Sequence, residues 1–159
     1  MPQLHPLIVH FPIALIITAF VFTVIGLIYR RGLFKEVIFW NLIFGILASG
    51  IAIYTGLQEE KNLIGSDEHV AEIMEAHKRN AYIICSFLLG LTVWMGMRKK
   101  EMKLLEYMAW ASFLMIGSVG IGYQGYSGTQ MAFREIKGIK IHHQIDKPPS
   151  KIRPEEDIF

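Results

Sequence analysis

Histidine is the residue type in this 159-residue chain whose chemistry and spacing most suggest a functional site. The chain has six of them, at His5, His10, His69, His77, His142 and His143. A neutral imidazole can ligate a metal or a haem iron, and it exchanges a proton near neutral pH. The sequence contains neither a CxxCH motif, which attaches haem covalently, nor an HExxH zinc motif. The histidines therefore predict a non-covalent cofactor site, provided that the fold brings them together.

The elements that must position these histidines are long apolar segments. Hydrophobic residues make up 52% of the chain and charged residues only 19%. A helix needs about 20 apolar residues to cross a bilayer. The pattern predicts four spans, at about residues 7–29, 37–57, 80–97 and 105–123. We therefore expect an all-α integral membrane four-helix bundle over residues 1–129 and a polar extramembrane tail over residues 130–159.

The orientation of the spans follows from the basic residues in the two short links. Lys and Arg accumulate on the cytoplasmic side of membrane proteins. The links contain seven such residues, namely Arg30, Arg31, Lys35, Arg98, Lys99, Lys100 and Lys103. This pattern predicts a multi-pass protein of the bacterial inner membrane with both termini on the periplasmic side. All six histidines then lie on that outer side, whereas Trp40, Trp94 and Trp110 fall near the inner ends and are typical of an interfacial aromatic belt.

His10 and His77 are the predicted pair of cofactor ligands. Each lies about one turn from the membrane boundary on helices that run in the same direction, so their depths should match. Two imidazoles that face each other across a bundle can hold a haem iron axially. His5 and His69 are reserve ligands. His69 lies eight residues, or about 12 Å, from His77 along a helix, so these two do not easily bind one metal ion but could serve two cofactors or a propionate.

The space for such a cofactor is predicted from small residues and one proline. Small residues let membrane helices approach closely, and Gly56, Gly117, Gly120 and Gly122 are placed by span order to make room for a ring. Pro12 cannot donate a hydrogen bond to the carbonyl of Ile8, so we expect the first helix to bend beside His10.

The opening residues, from Leu4 through His5-Pro6-Leu7-Ile8-Val9-His10-Phe11-Pro12-Ile13-Ala14, resemble a known family. The chain is similar to a widespread bacterial family of small four-span membrane proteins of unknown function, whose members open with an HPxxVHFPIA element. Three later segments also resemble that family: Thr55-Gly56-Leu57, His77-Lys78-Arg79-Asn80 and Gly120-Ile121-Gly122-Tyr123-Gln124-Gly125. The resemblance covers about the first 130 residues. Family members often place a further histidine at the glycine-rich end, where this chain has Tyr123, Gln124 and Tyr126, so no role for that histidine is carried over.

These observations favour a b-type haem-binding electron-transfer protein, or a subunit of a respiratory redox complex, over a stand-alone enzyme. Electrons would pass between membrane quinol and another membrane or periplasmic redox protein. We expect membrane lipid as a further partner, a tail that contacts a partner protein, and no nucleic acid. One alternative is a non-catalytic membrane scaffold, or a subunit that binds a quinone or a lipid. Another is a transition-metal binding or assembly protein that uses the histidines with Met74.

Overall fold

The protein is built from helices joined by short links. The computed structural model describes the backbone of residues 5–29, 32–62 and 68–145, and most side chains between residues 5 and 130. Within these ranges the helices are α1 (His5–Ile8), α2 (His10–Tyr29), α3 (Gly32–Asn62), α4 (Glu68–Arg98) and α5 (Leu104–Ile145). The break between α1 and α2 falls beside His10, where the missing N–H of Pro12 leaves the carbonyl of Ile8 without its helical donor.

Four of these helices are long and apolar enough to cross a membrane. The spanning segments are His10–Tyr29, Gly32–Glu59, Glu72–Arg98 and Leu104–Gln130. Large apolar side chains such as Leu47, Leu105 and Val119 are exposed along them, as expected where helices face lipid. The predicted all-α four-span bundle is therefore confirmed. The last helix is longer than its predicted span, because the backbone of α5 continues through Ile145. Residues 146–159, with the prolines of the tail, lie outside the described residues.

The four spans close into a ring around a small core. α2 packs against α3 and α5, and α4 also packs against α3 and α5, while the short α1 lies on α2 and α3. Trp110 is fully buried in this core and donates its indole N–H to the carbonyl of Leu91 at 3.0 Å. Trp110 therefore faces the core rather than the lipid, because its N–H has a partner inside the bundle, whereas Trp40 is 52% exposed.

One end of the bundle, which we call the basic end, is tied together by charged side chains from the two short links. Lys99 pairs with Glu36 at 2.6 Å. The ammonium of Lys35 donates to the carbonyls of Lys99 and Met102 at 3.0 and 3.3 Å. Because both links lie at this end, the start of α1, the end of α3, the start of α4 and the outer part of α5 meet at the other end. We call that the histidine end.

Candidate functional site

His5 is held against α3 at the histidine end. Its Nδ1 lies 3.2 Å from the hydroxyl of Thr55, and its backbone N–H donates to a carboxylate oxygen of Glu59 at 3.1 Å. The imidazole also packs on Gly56, where a Cβ atom would lie only 3.0 Å from Cε1 of His5. A glycine at this position therefore leaves the space that the ring occupies.

His77 is held in the same way by α5. Its Nδ1 lies 2.8 Å from the hydroxyl of Ser127. The backbone carbonyl of His77 accepts a hydrogen bond of 2.7 Å from the side-chain amide of Gln124. A Cβ atom at Gly128 would lie 3.5 Å from Cε1 of His77, so the ring rests on the backbone of α5 as His5 rests on that of α3.

The protons in these contacts can be assigned from the hydroxyl groups. Thr55 donates its hydroxyl proton to the carbonyl of Ala52 at 3.0 Å, and Ser127 donates to the carbonyl of Gln124 at 2.9 Å. A hydroxyl that donates its one proton to a carbonyl accepts a hydrogen bond from an imidazole Nδ1–H, so this arrangement favours the tautomer of each ring that is protonated on Nδ1. In that tautomer Nε2 carries a lone pair.

The two Nε2 atoms are available to a ligand. Within the described residues, neither atom has a hydrogen-bond partner, since the bonds of both rings run through Nδ1. A ring nitrogen of this kind can ligate a metal or accept a hydrogen bond. His5 also lies close enough to His77 for the two imidazoles to interact electrostatically. The structure thus places two imidazoles at this end of the bundle, one held by α3 and one by α5, and each is anchored through Nδ1.

The structure places the two histidines of the opening motif differently. His10 is exposed on α2, and none of the contacts described for His77 involves it. The pairing of His10 with His77 stays a prediction, whereas His5, the reserve ligand, is the histidine of this motif that acts electrostatically on His77. The physical reason is the helix break at Val9, which lets α1 turn His5 onto α3. The side chain of His69, and those of His142 and His143, lie outside the described residues.

Two further acceptors lie at the histidine end. Gln124 is 8% exposed, and its Oε1 has no hydrogen-bond partner among the described residues. A buried amide oxygen without a donor costs free energy, so this atom favours a ligand or a water that donates to it. Glu59 adds a half-buried carboxylate. Among the described side chains, no group of three or more His, Cys, Asp or Glu could hold a metal ion. The predicted use of His10 and His77 needs only a pair of ligands, so it stays a prediction.

The glycines that make room at the site are only partly those predicted. Gly56 touches His5 as expected, but Gly117 and Gly120 pack against Leu88 and Ile84 of α4. The sequence analysis missed Gly128, Thr55 and Ser127 as functional residues. The four-residue spacing of Thr55 and Glu59 on one helix face, and of Gln124 and Gly128 on another, is the signal that could have pointed to them.

Comparison with known proteins bears on the whole chain rather than on the site. A family model described as a predicted membrane protein, DUF2231, matches residues 2–140. The chain belongs to this family. No curated protein and no solved structure matches it. The expected membership of a small membrane family of unknown function is thereby confirmed, and the DUF2231 match includes every residue of the site described above.

The hydrogen-bond donors and acceptors of the DUF2231 site indicate which ligands it can bind. It offers lone pairs on two imidazole nitrogens, on one amide oxygen and on one carboxylate. Such a site suits an electron-pair acceptor such as a metal centre, or a molecule that donates hydrogen bonds.

Proposed function

We propose that this DUF2231 protein binds a b-type haem at the histidine end and transfers electrons, with His5 and His77 as the axial ligands. One observation carries the proposal: both imidazoles are anchored to hydroxyls through Nδ1, and neither Nε2 has a hydrogen-bond partner among the described residues. Histidines that ligate a metal donate their other ring N–H to an acceptor, which fixes the tautomer and the orientation of the ring. Thr55 and Ser127 are such acceptors.

The residues present fit a bis-imidazole haem better than a bare metal ion. An axial pair needs two nitrogens, whereas a structural metal site commonly needs four ligands. Gly56 and Gly128 keep the helix backbones close to the two rings, so the mouth between α3 and α5 is free of side chains at these positions. Haem would supply a one-electron carrier, taking electrons singly from a two-electron quinol whose two protons are released to water.

The physiological reaction we propose is electron transfer from membrane quinol to another redox protein of the membrane or the periplasm. The chain would act as a subunit or partner in a respiratory complex. The four spans support a membrane position, and the histidine end would face the outer side of the bacterial inner membrane. The backbone of α5 continues about 15 residues beyond the spanning segment, with a rise of about 1.5 Å per residue. This extension would project toward that partner.

Reduction by a quinol tests this function. The haem-loaded protein, purified anaerobically in the ferric state, should be reduced by duroquinol, with about two haems reduced per quinol because a quinol carries two electrons. Dithionite serves as the control that defines full reduction. If dithionite reduces the haem but duroquinol leaves it ferric, quinol is not the electron donor.

The proposed orientation is tested by topology. Because seven basic residues crowd the links at the basic end, a reporter fused to the C-terminus should behave as periplasmic. Alkaline phosphatase, which is active only in the periplasm, should be active there, and a fusion within residues 98–104 should be inactive. Fluorescence of a cytoplasm-only reporter at the C-terminus would reverse the orientation.

The second candidate function is a non-catalytic subunit that binds a quinone or a lipid headgroup. It is favoured by Oε1 of Gln124, a buried acceptor that would be satisfied by a hydroxyl or ammonium donor. The two candidates differ in optical spectra, because a scaffold that binds only quinone or lipid has no Soret band.

A further inference from the structure

An apolar groove runs along the bundle surface between the first two helices and α3. It has a volume of about 350 Å³ and is lined by Ile8, Phe11, Phe44, Leu47, Ala48 and Ile51. These side chains come from α1 and α2 on one wall and from α3 on the other. The groove faces lipid, since Phe11 and Leu47 are 62% and 60% exposed. An occupant of this groove must therefore be an apolar chain drawn from the membrane.

The groove lies on the same stripe of α3 as the polar site. Along α3, positions 44, 48, 51, 55 and 59 follow each other at intervals of three or four residues, so they form one stripe. The stripe spans 15 residues, or about 22 Å, from Phe44 in the membrane to Glu59 at the histidine end. On α1, Ile8 lies one turn from His5. A molecule in the groove therefore has its polar end beside His5, Thr55 and Glu59.

The polar end of the groove selects the chemistry of the occupant. One carboxylate oxygen of Glu59 accepts the backbone N–H of His5, and the other has no partner among the described residues. A carboxylate accepts hydrogen bonds and disfavours nearby phosphate charge. The hydroxyl of Thr55 already donates to Ala52 and accepts from His5. The site thus favours a head that donates a hydroxyl, attached to a long apolar tail.

We propose that the groove binds the isoprenoid tail of a membrane quinol, with one quinol hydroxyl donating to Glu59. The inference rests on the proposed function, which makes quinol the electron donor, and adds the place where that donor binds. The quinol head would then stand beside His5, an axial ligand in the proposed function, so that the donor lies next to the haem it reduces.

Tail-dependent binding tests this inference. The full-length protein is titrated calorimetrically with ubiquinol-0, which has no tail, and with ubiquinol-2, which has two isoprene units. We expect the tail to improve the dissociation constant at least about tenfold, or about 1.4 kcal/mol. Ala48→Leu, which fills the groove, should remove that advantage. Gly50→Leu is the matched control, because nothing lies within 4 Å of a Cβ atom at Gly50, and it should leave the advantage unchanged.

Two further variants distinguish a filled groove from a misfolded protein and test which molecule binds in the groove. Leu47→Trp fills the groove from an exposed position and should act like Ala48→Leu. Glu59→Gln, which keeps the shape but removes the charge, should weaken both quinols about tenfold. Equal binding of the two quinols, or full tail dependence in both groove-filling variants, would overturn the proposal. Displacement of ubiquinol-2 by phosphatidylethanolamine micelles, with no effect from tail length, would assign the groove to lipid instead.

Haem content, measured on every sample, separates this inference from the proposed function. Groove-dependent quinol binding in protein without haem would reject the haem and keep the quinol site. Haem-loaded protein that binds both quinols equally would keep the haem and reject the groove.

Discussion

His5→Ala and His77→Ala are each expected to abolish the low-spin b-type spectrum of the purified protein. Each variant removes one Nε2 lone pair, so the iron would lose an axial ligand and the six-coordinate low-spin state with it. The remaining imidazole would hold haem weakly, and we expect most of it to be lost during purification. The measurement is the visible spectrum together with haem content per chain by the pyridine haemochrome assay.

His10→Ala is the matched control for both variants. His10 belongs to the same opening motif and lies at the same end of the bundle, but it is exposed on α2, so its removal should leave spectrum and haem content unchanged. The opposite pattern, in which His10→Ala loses the haem and His5→Ala keeps it, would restore the pair predicted from the sequence. If His77→Ala keeps the wild-type spectrum, the haem is not bound at this end of α4.

The second large effect is expected from Gly56→Val. A Cβ atom at this position would lie 3.0 Å from Cε1 and 3.3 Å from Nδ1 of His5, and the two methyl groups of valine would reach further into the ring. His5 would have to leave Thr55, so its anchoring hydrogen bond and its orientation would be lost. Because removing an orienting partner typically costs 10–100-fold in metal affinity, we expect haem affinity to fall by at least about tenfold although both histidines are present.

Gly50→Val controls for the change in helix propensity and for an added side chain on α3. Gly50 lies six residues from Gly56 on the same helix, and nothing stands within 4 Å of its Cβ position. We expect this variant to bind haem with wild-type affinity in a hemin titration of the haem-free protein. If Gly56→Val also binds with wild-type affinity, His5 does not ligate the iron from the position that it holds against α3.

Much of the fold could be predicted from the sequence because bilayer thickness imposes one length on every span. Charge-free blocks such as residues 7–29 and 37–57 have few ways to satisfy their backbone groups in lipid other than as helices. The ends were predicted less well, since water lets a helix continue beyond the membrane wherever the residues permit. Thus α5 continues to Ile145, well beyond the predicted span of residues 105–123.

The candidate site was predicted only in part, because its geometry depends on tertiary contacts. His77 could be singled out from its position at the start of a span. His5 was predicted only as a reserve ligand. The five-residue spacing between His5 and His10 does not indicate which of the two faces α3, because that depends on the helix break at Val9. The anchoring of His77 by Ser127 links residues 50 positions apart, and no local pattern encodes the register of α4 against α5.

The most direct measurement is the reduced-minus-oxidised absorption spectrum of the protein purified from haem-replete cells. With His5 and His77 as axial ligands, the spectrum should show a Soret band and sharp α and β bands of low-spin b-type haem. The haem content should correspond to one per chain. A purified, folded protein that shows no Soret band, and gains none when titrated with hemin, would contradict the proposed electron-transfer function and leave the DUF2231 chain as a membrane subunit without a haem.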